Sequence, residues 1–229
     1  MFPAMLLGPS ISGIVLTLIT DGKLGLRRLL DRLRKFRVGP LWYALLFLPP
    51  ALVLVILYGL KAGYTSAFLP NDFYIGILFA LPAGLLEEIG WMGFAYPRMI
   101  NKWSPLSSAI ILGLLWSLWH LPVINFLGAA VPHRAYWLDF FLAFTIVMTA
   151  MRVLICWLYR NTESILMAQL MHISSTGALV TFSPWVSPAQ EAMWYAIYGS
   201  ALWLIVAVVV RATGFELQKA ESRAIAGAF

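Results

Sequence analysis

Charged residues are scarce in this chain. Asp, Glu, Lys and Arg make up 11% of its 229 residues, against about 25% in a typical soluble domain. Hydrophobic residues make up 61%, which excludes an ordinary soluble domain and favours an integral membrane protein. The basic residues behind the net charge of +6 lie in loops beside apolar segments, as topology signals do, so nucleic-acid binding is not expected.

Cysteine and processing signals are nearly absent as well. The single cysteine, Cys156, rules out an intrachain disulfide, and its apolar surroundings favour a small buried hydrophobic residue. No basic stretch precedes the first apolar run, so a cleaved signal peptide is not expected, and neither end carries a lipidation motif. No soluble domain or internal repeat is visible, and we expect one transmembrane domain over residues 1–229.

Long apolar runs are abundant. They predict seven membrane segments, near 4–20, 41–60, 73–96, 105–122, 137–158, 163–183 and 191–210. Several are close to the roughly 20 residues that span a bilayer. The fold class that we expect is therefore an all-α, polytopic membrane helix bundle.

Loop charge predicts the orientation of this bundle. Seven basic residues lie in the connection 21–39, and placing it in the cytoplasm also places there Arg98, Lys102, Arg152, Arg160, Arg211, Lys219 and Arg223. The N-terminus is then outside and the C-terminus cytoplasmic. The same connection is expected to form an amphipathic helix on the inner leaflet, because apolar residues recur at helical spacing between arginines at Leu26, Leu29, Leu30, Leu33 and Phe36.

Two adjacent glutamates, Glu87 and Glu88, interrupt the third apolar run. An acidic residue at the centre of a membrane helix costs roughly 2.5 to 3.5 kcal/mol on insertion scales, so a functional site is the default hypothesis. Neighbouring helix residues point about 100° apart, which predicts different roles for the two carboxylates. The small residues Gly84, Gly90 and Gly93 nearby would let another helix approach closely.

Two histidines, His120 and His172, lie deep in other apolar runs. One alternative for each is a core residue bonded to a backbone carbonyl. Together with the glutamates on a third run, however, they predict a shared polar cavity inside the bundle. Four further charged residues lie nearer segment ends and are expected to reach the headgroups: Asp139, Arg152, Glu163 and Glu191.

This set of residue types favours hydrolysis. A carboxylate beside imidazoles in a mostly dry site can deprotonate water, and neighbouring donors can stabilise an oxyanion. The same residues could instead bind Zn²⁺ with a position left for water, and the residue pattern leaves both mechanisms open. A nucleophilic Ser174 or Ser175 is disfavoured, because serines in membrane helices commonly bond back to the preceding turn.

Three motifs in these runs resemble those of the CPBP family, the CAAX proteases and bacteriocin-processing enzymes also called Abi proteins. Glu87-Glu88-Ile-Gly-Trp-Met-Gly-Phe94 resembles its Glu-Glu-x-x-x-Arg motif. Leu115-Trp-Ser-Leu-Trp-His120-Leu-Pro122 is similar to its Phe-x-x-x-His motif, with Trp116 at the aromatic position, and His172-Ile-Ser-Ser-Thr176 to its His-x-x-x-Asn motif. The motifs occur in the family's order and define a core of about 73–183.

The resemblance implies an intramembrane endopeptidase with a CAAX-protease-like helical fold. Position by position, it makes Glu87 the base that activates water and His120 the residue that holds that water. His172, with Thr176 in the Asn position, supplies the oxyanion hole, and Glu88 completes the catalytic set. Members are often described as metalloproteases, although the glutamate mechanism needs no metal; zinc, if bound, would be held by Glu87, His120 and His172.

Surroundings and partners follow from the same resemblance. Trp91 and Trp116 stand beside the motif residues and are expected to line the substrate cavity. The expected partners are the lipid bilayer and a peptide or protein substrate, with a lipid-modified protein as one option. The protein is expected to be a multi-pass protein of the cell membrane.

Two positions depart from the family pattern. Met92 replaces the Arg that would neutralise Glu88, so Glu88 is expected to be protonated or paired with a group from elsewhere. Thr176 offers a shorter donor than Asn. These departures support an alternative, a catalytically degenerate membrane scaffold or bacteriocin-immunity protein. A transporter is a third hypothesis, disfavoured because no pair of corresponding broken helices is visible.

Overall fold

The computed structural model describes residues 2–126 and 133–218, and within these ranges the regular structure is helical, without a strand. The α-helices are α1 (Phe2–Arg34), α2 (Pro40–Ala44), α3 (Leu48–Gly63), α4 (Ile77–Gly90), α5 (Tyr96–Met99), α6 (Pro105–Trp119), α7 (Leu121–Phe126), α8 (Trp137–Thr162), α9 (Ile165–Phe182) and α10 (Pro188–Thr213). A single π-helical turn, Trp91–Ala95, joins α4 to α5.

The predicted seven membrane segments are confirmed. Seven stretches of the described residues are long and apolar enough to cross a membrane: Pro3–Arg34, Pro40–Gly63, Tyr74–Met99, Pro105–Ile124, Arg134–Thr162, Ile165–Phe182 and Pro188–Glu216. Their starts follow ordinary capping chemistry. Ser104, Ser164 and Ser187 accept a hydrogen bond from the first turn of α6, α9 and α10, and Pro105 and Pro188 occupy first-turn positions where no backbone donor is lost.

Helix α8 forms the centre of the bundle. Helices α6 and α10 pack against it, while α9 packs on α4, and α1 covers the other side of α4. The chain passes from α8 to α9 through a tight reversal at Glu163, which has left-handed backbone angles (φ 51°). The two helices are therefore antiparallel neighbours, and residues equally far from Glu163 lie at similar depth.

The basic connection 21–39 is helical only in part. Helix α1 continues through it as far as Arg34, with a break at Gly22, where φ is 63° and ψ is −156°. Leu29 is buried, whereas Phe36 lies beyond the helix end and is exposed. Lys219 and Arg223, which contributed to the predicted orientation, lie outside the described residues, and the orientation stays a prediction.

The structure overturns one sequence-based expectation near segment ends and refines two others. Arg152 does not reach the headgroups: its side chain is fully buried in the middle of α8. Glu191 is largely enclosed, and its Oε2 lies 3.0 Å from Nε2 of His133. The fourth segment does not stop at Pro122, because α6 ends at Trp119 and α7 resumes at Leu121, with Pro122 in its first turn, where proline is tolerated.

Candidate active site

The two glutamates occupy the last turn of α4, where both are buried. The π-helical turn begins three residues after Glu88 and contains Met92, which is also fully buried. Single π-turns inside α-helices occur frequently at functional sites, since the extra residue changes the direction in which the following side chains point. Glu87 and Glu88 face different partners, as their helical spacing predicts.

Glu87 is held by two tryptophans. Its Oε2 accepts a hydrogen bond from Nε1 of Trp116 at 3.0 Å and another from Nε1 of Trp91 at 3.3 Å. An indole N–H can only donate, so this oxygen acts as the acceptor in both bonds. Oε1 has no hydrogen-bond partner among the residues that the structure describes. One oxygen of Glu87 is thus fixed, and the other remains available.

Glu88 belongs to a separate, fully buried ionic cluster. Nη1 of Arg152 lies 2.9 Å from its Oε1 and 2.8 Å from its Oε2, and Nδ1 of His172 lies 2.8 Å from Oε1. All three side chains are at most 1% exposed. Removing two charges from water is costly, and it is offset here by a guanidinium that contacts both carboxylate oxygens. Glu88 is therefore paired with a group from elsewhere, one of the two states expected for it.

The indole of Trp116 connects the two clusters. Its ring lies edge-on to His120 and His172, with centroids 5.3 and 4.9 Å apart, and the Arg152 guanidinium carbon lies 4.1 Å from its centroid. Nε and Nη2 of Arg152 have no hydrogen-bond partner in the described part of the chain, and the cation–π contact with Trp116 adds to the ion pair with Glu88. Through Trp116, residues from α4, α6, α8 and α9 meet at one point.

His120 lies at the break between α6 and α7 and is partly exposed. Its Nδ1 is 2.7 Å from the carbonyl oxygen of Trp116. A carbonyl oxygen only accepts, so Nδ1 carries a proton and donates, which leaves Nε2 as an acceptor in the neutral ring. The alternative of a histidine bonded to a backbone carbonyl is thus correct for one nitrogen and leaves the other available.

Glycine lets the helices that carry the site approach closely. A Cβ on Gly84 would lie 2.8 Å from the carbonyl oxygen of Gln169 on α9 and 2.9 Å from the backbone nitrogen of Ile173. A Cβ on Gly90 would lie 2.3 Å from the carbonyl oxygen of Pro9 on α1. All three distances are too short for a real Cβ, so the predicted close approach is confirmed, and it brings His172 to Glu88.

The remaining predicted residues lie at the edge of this arrangement. Thr176 is one turn after His172 on α9, half-buried, and its hydroxyl has no hydrogen-bond partner among the described residues. Trp91 lines a groove of about 350 Å³ between α1 and the π-helical turn, with Trp119 edge-on to it at 5.9 Å. Trp116 is only 1% exposed and is not among the described residues that line the groove.

The described residues contain no preformed cluster of metal ligands. Among the described residues, no three His, Cys, Asp or Glu side chains are grouped so that they could hold one. His172 donates from Nδ1 to Glu88, and Oε2 of Glu87 already accepts two N–H groups. The proposed zinc set of Glu87, His120 and His172 is therefore not assembled among the described residues, although these bonds leave Oε1 of Glu87 and Nε2 of His120 open. Zinc binding stays a prediction, and no step below passes through a metal.

Arg152 is the functional residue that sequence reasoning missed. A signal for it exists: Arg152 precedes the reversal at Glu163 by 11 residues, and His172 follows it by nine. At 1.5 Å per residue these are roughly 16 and 14 Å, so the two side chains are at similar depth on antiparallel helices. A cation in a long apolar run, at the depth of a motif histidine, indicates pairing inside the bundle.

The sequence of this chain is similar to those of known proteins. Residues 69–178 match the family described as Type II CAAX prenyl endopeptidase Rce1-like, a range that contains Glu87, Glu88, His120, His172 and Thr176. The chain is also 29% identical over 141 residues to CAAX prenyl protease 2 of Methanococcus maripaludis. The resemblance to the CPBP family is confirmed. With its seven apolar helices, the chain is an integral, multi-pass membrane protein.

The relative is matched only in part. The alignment covers 56% of this chain and 51% of the archaeal protein, so the chain spans about half the length of the curated relative. The name of that relative describes its own activity, and activity and substrate for the present protein are treated as proposals.

Proposed function

We propose that this protein is an intramembrane endopeptidase that hydrolyses peptide bonds with a water molecule activated by Glu87. The observation that carries the proposal is the state of this carboxylate: it is buried, one oxygen is fixed by Trp91 and Trp116, and Oε1 is without a described partner. A general base needs this combination of fixed orientation and a free acceptor. Water bound to Oε1 would lose a proton to Glu87 as it attacks the carbonyl carbon.

His120 is the second partner of the water in this proposal. Because Nδ1 donates to the Trp116 carbonyl, Nε2 is an acceptor. A water molecule that gives one hydrogen bond to Glu87 can give its other to His120, which directs a lone pair of the water oxygen at the substrate. Trp116 fixes both residues, because its side chain holds Glu87 and its backbone holds His120.

His172 stabilises the oxyanion in the same scheme. Its Nδ1 donates to Glu88, so donation from Nε2 to an oxyanion requires a proton on both nitrogens. In that state the formal charges of Glu87, Glu88, Arg152 and His172 sum to zero. Arg152 is a positioning residue, because it acts on the substrate only through Glu88 and His172.

The substrate that we propose is a peptide or protein presented at the membrane, and a lipid-modified protein is the class that the archaeal relative's name suggests. Cleavage near the cytoplasmic face follows if the predicted orientation holds. The degenerate scaffold or immunity protein is the second candidate. Its support is now reduced to Thr176, because Arg152 supplies the positive charge that Met92 does not.

The test is cleavage by purified protein in detergent, measured with a fluorogenic peptide in farnesylated and unmodified forms. We expect the wild type to cleave and Glu87→Gln to lose about 100-fold to 10,000-fold in kcat, the usual contribution of a general base. The control is Glu163→Gln, because Glu163 is an exposed glutamate outside the site. Wild-type levels of cleavage by Glu87→Gln would refute the proposal. An inactive wild type that gains activity as Thr176→Asn would favour the degenerate protein.

A further inference from the structure

The seam between α1 and the segment that follows Glu88 carries two adjoining depressions of different character. The first is the apolar groove lined by Leu16, Trp91, Phe94 and Trp119. The second, of about 260 Å³, lies further along the same two elements and is lined by Arg28, Arg32, Arg98 and Asp21. The groove takes its α1 wall from residues 8–16, and the basic pocket takes its α1 wall from residues 17–32.

The basic pocket has a net formal charge of +2, from three arginines and one aspartate. Arg98 donates to Asp21 at 2.8 Å, so this aspartate is already neutralised. Arg32 donates to the hydroxyl of Tyr159 at 3.2 Å. Arg28 is exposed and makes no hydrogen bond or salt bridge with any described residue. Arg28 acts on Asp21 only through space, and Arg32 has no salt bridge with a described residue, so the pocket keeps an excess of positive charge.

Local structure fixes the basic pocket beside the groove. The break of α1 at Gly22 falls within its α1 wall. The Arg98 guanidinium stacks on Phe94 with 3.8 Å between its carbon and the ring centroid, and Phe94 lines the groove. Leu29, one turn before Leu33, is buried against Gly93. The apolar groove and the basic pocket therefore lie side by side along one packed seam.

We propose that this seam binds one anionic phospholipid, with its phosphodiester in the basic pocket and an acyl chain along the apolar groove. An apolar groove next to a basic pocket matches an amphiphile with a negative headgroup, and basic pockets between membrane helices bind such headgroups. The arginines of the basic pocket lie at the ends of candidate membrane spans, where lipid headgroups are found. Trp91 belongs to the groove and also donates to Glu87, so the acyl chain would touch the wall of the candidate active site.

The experiment is native mass spectrometry of the full chain in detergent, titrated with phosphatidylglycerol and, separately, with phosphatidylcholine of the same acyl chains. We expect one molecule of phosphatidylglycerol to bind with clear preference. An arginine near a membrane surface is worth about fivefold in affinity, so Arg28→Gln should weaken binding about fivefold and Arg28→Gln/Arg32→Gln about 25-fold. Binding needs no protease activity, so the result is independent of the proposed function.

Matched controls are available on the same helix. Arg27→Gln/Arg34→Gln removes the same charge from residues that do not line the pocket, and should change binding by less than about twofold. Leu16→Trp should block the groove, whereas Val15→Trp, at an equally exposed position outside it, should not. Arg28→Gln removes no described hydrogen bond or salt bridge, so a loss of binding by this variant with an unchanged unfolding transition is not explained by misfolding.

Three results would overturn the proposal. The first is equal binding of phosphatidylcholine and phosphatidylglycerol. The second is an equal loss from both arginine pairs, which would indicate diffuse charge attraction. The third is binding of another ligand in place of phosphatidylglycerol. A farnesylated peptide with a free carboxylate would identify the seam as a substrate site, and inorganic phosphate alone would identify a simple phosphate site.

Discussion

Arg152 contacts both carboxylate oxygens of Glu88 from α8, a helix that carries none of the three motifs. The family motif places an arginine one turn after this glutamate, and here that position holds the buried Met92. A positive charge therefore contacts Glu88 as in the family motif, but α8 supplies it in place of the motif position. Because the new donor also stacks on Trp116, it ties Glu88 and His172 to the indole that holds Glu87.

Replacement of this arginine should be severely destabilising. In Arg152→Met, Glu88 would remain buried without its guanidinium, and breaking a buried ion pair from one side costs about 3 to 5 kcal/mol. We expect that loss in unfolding free energy, measured by denaturant titration in detergent, together with loss of cleavage. Arg211→Met, an exposed arginine on α10, should change stability by less than about 0.5 kcal/mol.

A second variant separates positioning from bulk stability. Met92→Arg/Arg152→Met returns the positive charge to the motif position, and we expect at least about tenfold more cleavage than Arg152→Met alone, a coupling of about 1.4 kcal/mol or more. Cleavage by the double variant that is no better than by Arg152→Met would mean that Arg152 does more than neutralise Glu88.

The sequence predicted most of the fold, and the reason is physical. In lipid the backbone must satisfy its own hydrogen bonds, so apolar runs of sufficient length become helices, and their number follows from composition. The burial of Glu87, Glu88 and His172 inside the bundle was predictable on the same basis, since such groups avoid lipid. The roles inferred for them stay predictions.

Contacts between distant helices were not predictable in the same way. Arg152 was expected at the headgroups because the side chain of an arginine in a membrane segment usually extends to the membrane interface. Its depth depends on where α8 ends, and the left-handed turn at Glu163 fixes that end. The orientation of Trp116 toward Glu87 likewise depends on how α6 packs against α8, which no local pattern encodes.

Close packing at Gly84 should be essential for the site. A methyl group there would contact Gln169 and Ile173 of α9, and overpacking typically costs about 1 to 3 kcal/mol. Gly84→Ala should also move α9 away from α4 and so separate His172 from Glu88. Gly59→Ala is the control, because a Cβ on Gly59 meets nothing within 4 Å. Equal unfolding free energies for the two variants would contradict this packing.

The indole nitrogen of Trp116 should matter more than its ring volume. Trp116→Phe keeps an aromatic ring beside His172 and Arg152 but removes the donor to Glu87. A hydrogen bond to a charged group is worth about 1.5 to 3 kcal/mol, so kcat should fall about 10-fold to 100-fold with little change in KM. Trp203→Phe makes the same volume change at a tryptophan bonded to the Ile146 carbonyl, and should keep its activity.

Chelators should leave cleavage unchanged. The described residues contain no group of three metal-ligating side chains, and the glutamate mechanism proposed above needs no metal. We expect activity within about twofold of untreated protein after EDTA or 1,10-phenanthroline, with no stoichiometric metal in the active sample. Loss of activity that Zn²⁺ restores, without a change in the unfolding transition, would instead support the zinc mechanism.

Thr176 is the position where this chain departs from the family without a visible substitute. Its hydroxyl is one turn from His172, half-buried, and free to donate one hydrogen bond to the oxyanion. Loss of one such donor typically costs about 100-fold to 1,000-fold in kcat, so Thr176→Val should approach that loss, with KM unchanged. Thr176→Asn should be at least as active as the wild type, because the amide reaches further. Thr181→Val, an isosteric change on the same helix, controls for packing. Full activity in Thr176→Val would remove Thr176 from the site and leave His172 as the side-chain donor that we assign to the oxyanion.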